Sequence, residues 1–205
     1  MVITITRQYG AGGSEVARLA AGKLGWGLID NEFVDEVARR AGVSAEEVAA
    51  REERSPSLLE RLVRALAASS PEVFVPGAPS PSREQDEAEL VTTTEHVIAE
   101  AGRSGNVILV GRGAQAYFAR AHEGSALHVF VVAPLEARIE TLARRLSISP
   151  DEARKQAEQM EADRDRYVAK YYKRKRQDPA NYHLVVNTGL LGYDRAASIV
   201  VAAVT

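Results

Sequence analysis

The sequence of 205 residues contains no cysteine and only one tryptophan and two methionines. The lack of cysteine excludes disulfides, thiolate catalysis and cysteine-ligated zinc or iron–sulfur sites. The four histidines are isolated and lack HExxH-type spacing, so we expect them to serve packing or the surface rather than catalysis. No stretch approaches 18 consecutive apolar residues, and nothing in the first residues resembles a signal peptide. We therefore expect a cytoplasmic protein with no membrane span.

Charge of one sign is also lacking, because 26 basic and 28 acidic residues leave a net charge of -2. That balance excludes a globally basic nucleic-acid binder. With 45% hydrophobic and 26% charged residues, the composition is that of an ordinary globular protein. The length is typical of one domain with a sizeable core.

Short apolar runs rich in β-branched residues predict five strands. Several of them lack alternation, which is typical of strands buried on both faces of a parallel sheet. Segments with helical periodicity lie between them, so the expected fold class is α/β with a mostly parallel sheet. The predicted strands are Val2–Thr6, Gly27–Ile29, Val107–Val110, Leu127–Val132 and Leu184–Val186.

Helical periodicity and capping signals locate the predicted helices. The apolar stripes lie in Ser14–Leu24, Phe33–Ala41, Leu58–Leu66 and Leu90–Ala101, and capping boxes begin at Ser44 and Ser149. Residues 69–82 hold four prolines and predict a loop. Asp151–Arg176 is densely charged, and its end, Lys170–Arg176, is expected to form a basic exposed face.

The segment Val2–Ala17 reads as a strand, a glycine-rich turn and a helix. Glycines before a helix let backbone amides converge on a phosphate, and Ser14 falls where a hydroxyl would hold Mg²⁺. The motif G-x-x-x-x-G-K-[ST] would place glycine at position 7 and lysine at position 13, but the chain has Arg7 and Gly13. From the loop alone, a phosphate site and a tight turn without ligand both stay open.

Further motifs follow this loop in order over nearly the whole chain. With them, the sequence resembles the cytidylate kinase-like family within the P-loop nucleoside monophosphate kinases. The resemblance rests on Ile5–Gly13, Leu28–Asp30, Val110–Ala114, Ala133–Arg138, Asp163–Arg166 with Tyr171 and Tyr172, Asp178 with Pro179, and Val186–Thr188.

The resemblance implies one P-loop kinase domain over residues 1–205. Its fold would have three layers, α/β/α, with a five-stranded parallel sheet, a helical acceptor-binding region at about 31–105 and a lid at about 138–178. Its activity would be phosphoryl transfer from ATP, with Mg²⁺, to a nucleoside monophosphate, most typically CMP or dCMP.

The resemblance also implies roles for individual residues. The arginines that would serve catalysis are Arg112, Arg138, Arg144 and Arg145 by this resemblance, and Arg7, Arg164 and Arg166 join them because a guanidinium binds phosphate oxygens in pairs. Donor binding would fall to Gly10, Ala11, Gly12, Gly13, Ser14, Glu15, Asn187 and Thr188. Acceptor binding would fall to Asp30, Arg112, Asp163 and Asp165, and metal binding to Ser14 and Asp30.

The chain departs from the cytidylate kinase pattern at three positions. Gly13 replaces the phosphate-loop lysine, Gly113 replaces an acidic residue, and Val168 replaces an arginine. We hypothesise that Arg7 or a lid arginine supplies the charge of the absent lysine.

Two alternatives to a CMP kinase stay open: a kinase for a different small acceptor, and a nucleotide-binding regulatory protein without catalysis. The expected partners are nucleotides, with neither nucleic acid nor membrane. The stripe Leu58–Leu66 could cover an acceptor pocket or meet a second subunit in a homodimer.

Overall fold

Strands and helices alternate along the chain in the computed structural model, which describes residues 1–30, 82–121 and 126–205. The strands are β1 (Val2–Arg7), β2 (Gly27–Asp30), β3 (Val107–Val110), β4 (Ala126–Val132) and β5 (Leu184–Asn187). The helices are α1 (Gly13–Leu24), α2 (Ser82–Ser104), α3 (Ala114–Ala121), α4 (Leu135–Leu146), α5 (Pro150–Tyr172), α6 (Thr188–Leu191) and α7 (Tyr193–Ala202), with a 3-10 turn at Pro179–Asn181.

The five strands form one sheet in the order β2-β3-β1-β4-β5. Strand β1 pairs in parallel with β3 and β4, and β4 pairs in parallel with β5. All five predicted strands are confirmed, with ends shifted by at most one residue, and so is the α/β class with a parallel sheet. Because parallel strands end at the same edge, Arg7, Gly111 and Ala133 come together at the carboxyl edge of the central strands.

The chain divides into two compact units, one of Met1–Leu28 with Asn106–Thr205 and one of Ile29–Gly105. In the first unit the core lies between the sheet and its helices, and Ile3, Ile108 and Val129 are fully buried there with Ala17 and Val200. In the second unit, the predicted stripe on α2 is buried at Val97, Ile98 and Ala101.

The predicted helix α1 is confirmed, as is the capping box before α5. Ser149 Oγ accepts from the Glu152 amide at 3.2 Å, and a Glu152 carboxylate oxygen accepts from the Ser149 amide at 3.0 Å. The predictions at Phe33–Ala41, Ser44 and Leu58–Leu66, and most of the proline-rich loop, lie outside the described residues. Among the described helices, none is both long and apolar enough to cross a bilayer.

Two of the histidines, which the sequence predicted to be isolated, stack on each other: His128 on β4 and His183 just before β5. The rings of His128 and His183 lie 5.0 Å apart, and the His128 amide donates to His183 Nδ1 at 2.8 Å. His128 is buried, with its Nδ1 2.8 Å from Thr4 Oγ1 on β1. Burial, with the neighbouring His183 and Arg174, lowers the pKa of His128 to about 4.

We predict that this pair makes the fold sensitive to acid. The folded state holds His128 neutral, so the unfolded chain takes up the proton first as the pH falls. The stability contribution is therefore complete above about pH 6.5 and lost progressively towards pH 4, at a cost of up to about 3 kcal/mol. Denaturant unfolding of the wild type and of His128→Gln between pH 7 and pH 4 measures it, with His96→Gln, at an exposed position of α2, as the control. A His128→Gln variant that keeps the full wild-type slope would contradict the prediction.

Candidate active site at the carboxyl end of strand β1

The glycine loop, Gln8–Gly12, joins the end of β1 to the start of α1. Gly10 and Gly12 have φ of 82° and 75°, a conformation that L side chains rarely adopt. The Gln8 amide donates to Val131 O at 2.9 Å, and Gln8 Oε1 accepts from the Ala133 amide at 3.1 Å, which fastens the loop to β4. Helix α1 begins after Gly12 with no side-chain cap. The backbone amides of an uncapped helix start can bind an anion.

Arg7 occupies the space that a lysine at position 13 would need. A Cβ placed on Gly13 would lie 2.7 Å from Arg7 Cγ and nearer still to Arg7 Cβ. At the other end of the side chain, a Cβ placed on Gly111 would collide with Arg7 Nη1. The buried Arg7 side chain thus crosses from the glycine loop to the end of β3. Gly13 is the residue that allows this path.

The segment Gly111–Gly113, which follows β3, is held in the left-handed conformation throughout. Arg112 has φ of 54°, which is uncommon for a residue with a side chain. Such backbone strain clusters at functional sites. Beside it, the ring of Tyr172 packs on Gly113, where an added Cβ would lie 2.9 Å from Cζ of that ring. The glycine in place of the acidic residue therefore makes room for Tyr172.

Arginines from α4 and α5 surround Tyr9 in the loop. The guanidinium carbons of Arg145 and Arg164 lie 5.5 Å and 5.4 Å from the centre of its ring. Arg138 is buried and donates to Tyr9 O at 3.3 Å. Burial lowers the pKa of Arg138, the Glu161 carboxylate opposes this, and the charge of Arg176 adds to it. A bound anion would offset the cost of holding these cations together.

Arg176 joins the same cluster, although the sequence predicted an exposed basic face at Lys170–Arg176. That prediction is wrong for Arg176 and Tyr172, which are 5% and 7% exposed. Arg176 donates to Glu161 and Asp165 at 2.7 Å each and to Arg7 O at 3.0 Å. Arg164 reaches the same carbonyl at 3.4 Å.

A signal for this arrangement was present in the sequence. Glu161 and Asp165 are spaced by four residues and continue the stripe of α5 that is buried at Ala153, Ala157, Val168 and Tyr172. Two carboxylates on an otherwise buried stripe predict a basic partner, because a buried charge is costly unless it is paired.

Four predicted site residues lie in exposed ion pairs, unlike the arginines around Tyr9. Asp163 and Arg166 pair with each other at 2.7 Å on the exposed side of α5. Arg144 is exposed and lies 3.5 Å from Glu140, and Glu15 pairs with Arg18 at 2.6 Å. Asp30 ends β2 and is 5% exposed.

Thr188 fastens the end of β5 to the glycine loop, and Asn187 caps the helix that follows. Thr188 is buried, with its Oγ1 2.7 Å from Ala11 O and 3.2 Å from Val132 O. Asn187 Oδ1 accepts from the Gly189 amide at 3.0 Å and so caps α6. Tyr193, at the start of α7, packs on Gly12, so this end of the chain covers one side of the loop.

A parallel sheet of this order, with its central strand entering a glycine loop and a helix, defines the P-loop kinase fold. The sequence model of the cytidylate kinase-like family matches residues 2–190. The chain therefore belongs to the cytidylate kinase-like family, and the resemblance seen in the sequence is confirmed. No curated protein matches the chain.

Solved structures with the same fold include an uncharacterized protein from Eubacterium ventriosum, with 16% identity and a TM-score of 0.68 over 100% of this chain and 98% of that one. Shikimate kinase from Bacteroides thetaiotaomicron has 14% identity and a TM-score of 0.52 over 100% and 98%. Shikimate kinase from Acinetobacter baumannii, in complex with shikimate, has 15% identity and a TM-score of 0.50 over 99% and 92%.

The close packing of Arg7 on Gly13 gives a stability prediction. Gly13→Ala forces a methyl group against the Arg7 stem, so we expect it to destabilise the fold by about 1–3 kcal/mol. The control is Gly22→Ala in the same helix, where nothing lies within 4 Å of the added Cβ. We expect that control to stabilise by about 0.5–1 kcal/mol through helix propensity. Urea unfolding compares them, and equal effects would show that Arg7 does not exclude a side chain at position 13.

Proposed function

We propose that this protein transfers the γ-phosphoryl group of ATP to a nucleoside monophosphate, with CMP or dCMP as the first candidates. The observation that carries the proposal is the set of arginines gathered around the glycine loop and the adjoining end of β3: Arg7, Arg138, Arg145, Arg164 and Arg176. Phosphoryl transfer needs little covalent help from the protein. It needs the donor held in line with the acceptor and positive charge around the transferred oxygens.

Arg7 takes the part of the missing lysine in this proposal. Its stem fills the space above Gly13 in α1, and its guanidinium lies at Gly111, next to Arg112. A guanidinium binds two phosphate oxygens at once and stays charged at any physiological pH. The site therefore keeps a fixed cation near the transferred group without a lysine.

In this proposal Mg²⁺ binds to the site together with the phosphates of ATP. Among the described residues, no group of three or more His, Asp or Glu side chains could hold a metal ion by itself. Mg²⁺ is commonly bound through one or two protein oxygens, substrate phosphates and water. The Ser14 hydroxyl at the start of α1 would hold it, and Asp30 stays a predicted second ligand. When bound, the ion neutralises charge on the transferred phosphoryl group.

The acceptor phosphate is assigned to Arg112, which the backbone of Gly111–Gly113 presents at the end of β3. One observation favours the second candidate, a kinase for another small acceptor. The Tyr172 ring fills the space beside Gly113 that an acidic residue would need, so contacts to the acceptor base would differ from those of a cytidylate kinase.

Binding and ADP-release measurements with a panel of ligands distinguish these candidate functions. We expect ATP with Mg²⁺ to raise the melting temperature, because a ligand at 100 times its Kd adds about 2.7 kcal/mol to native stability. CMP, dCMP, UMP, AMP and small hydroxylated acids are then tested as acceptors by ADP release. Nucleotide binding without ADP release from any acceptor would favour the regulatory protein, and a melting temperature unmoved by ATP would contradict the proposal.

The role of Arg7 has its own test. Arg7→Met keeps an unbranched stem over Gly13 and removes the guanidinium, so we expect kcat to fall by about 10²–10³, far more than the accompanying loss of stability would explain. Arg154→Met, on α5, breaks only an exposed pair with Glu136 and is the matched control. If Arg7→Met turns over at the wild-type rate, Arg7 does not replace the lysine.

A further inference from the structure

Glu161 and Arg176 form a buried ion pair beside the glycine loop. Their side chains are 13% and 5% exposed, and Arg176 Nη2 lies 2.7 Å from Glu161 Oε2. The second carboxylate oxygen, Oε1, accepts from the backbone amide of Tyr9 at 2.7 Å. Arg176 Nη1 donates to the carbonyl of Arg7 at 3.0 Å. The pair therefore holds the backbone on both sides of Gln8.

These contacts fix the orientation of two consecutive peptide groups at the entrance to the loop. The Arg7 carbonyl belongs to the first, and the Tyr9 amide belongs to the second. A hydrogen bond from an amide to a carboxylate is stronger than one to a neutral oxygen. The direction in which the following amides point depends on these two peptide groups, so part of the loop's geometry is imposed by α5.

The burial of the Glu161–Arg176 ion pair indicates that it is a permanent contact and not a switch. Separating a buried ion pair leaves an uncompensated charge, which is strongly unfavourable. Arg176 is further held by Asp165, with a nitrogen–oxygen distance of 2.7 Å. We therefore expect an incoming phosphate to bind to a loop that the pair already holds, without displacing Glu161.

We propose that Glu161, oriented by Arg176, is a positioning residue for the glycine loop and sets the affinity of that loop for polyphosphate. The inference rests on the proposed function for its ligand, because it assigns the loop to the donor. It adds that donor affinity depends on a carboxylate, a group that repels phosphate and lies outside the glycine loop.

The test replaces Glu161 in two steps. Glu161→Gln keeps an acceptor oxygen for Tyr9 and drops the charge, and Glu161→Met drops both. The matched controls are Glu136→Gln and Glu136→Met, which change an exposed carboxylate in the α4–α5 ion pair with Arg154. Hydrogen exchange of the Tyr9 amide is measured by NMR, and ATP affinity by calorimetry with and without Mg²⁺.

We expect Glu161→Met to speed exchange of the Tyr9 amide and to weaken ATP binding, each by about tenfold or more, as loss of a charged hydrogen bond implies. Glu161→Gln should fall between it and the wild type, and both Glu136 variants should match the wild type. A purely structural role would lower the melting temperature without this graded loss of affinity.

Wild-type exchange and affinity in a folded Glu161→Met would overturn the inference. Should that variant not fold, Glu161→Gln decides, because it keeps the volume: an affinity equal to that of Glu136→Gln overturns the inference as well. If the wild type itself binds no ATP, the proposed function fails, whereas exchange of the Tyr9 amide still reports whether Glu161 holds the loop.

Discussion

The carbonyl oxygen of Arg7 is the point on which the candidate site depends. It ends the central strand and accepts hydrogen bonds from Arg176 at 3.0 Å and Arg164 at 3.4 Å, both contributed from the α5 region. Since β1 is buried between β3 and β4, its end is a rigid platform. The glycine loop begins at the next residue and inherits this position. Charged groups near the end of the chain therefore shape a loop near its start.

Such a concentration of arginines needs acidic neighbours to be tolerated without a ligand. Glu161 and Asp165 supply them, and both pair with the least exposed arginine, Arg176. Four further arginines, Arg7, Arg138, Arg145 and Arg164, lie around the same loop. Such a group suits a polyanion site, because the two carboxylates hold Arg176 in place in the free protein and guanidinium groups bind phosphate oxygens.

The sequence predicted the elements whose causes are local. Apolar runs specify the five strands, and Ser149 with Glu152 specifies the start of α5. Within the charged run of α5, a residue-by-residue motif placed Asp163–Arg166 together at the site, but the helical period turns Arg164 and Asp165 inward and leaves Asp163 and Arg166 outside. Arg176 was missed because its partners lie 11 and 15 residues away along the chain and at Arg7, and that pairing depends on tertiary packing.

The two glycines that depart from the cytidylate kinase pattern have the same physical effect, because each leaves room for a large side chain from another part of the chain. At Gly13 the space of a lysine is filled by Arg7, and at Gly113 the space of an acidic side chain is filled by Tyr172. Close packing at both positions indicates that each glycine and its neighbour suit each other. Glycine is therefore needed at position 13 by the Arg7 side chain and at position 113 by the Tyr172 ring, and neither departure by itself counts against the arginine-based phosphoryl transfer that we propose.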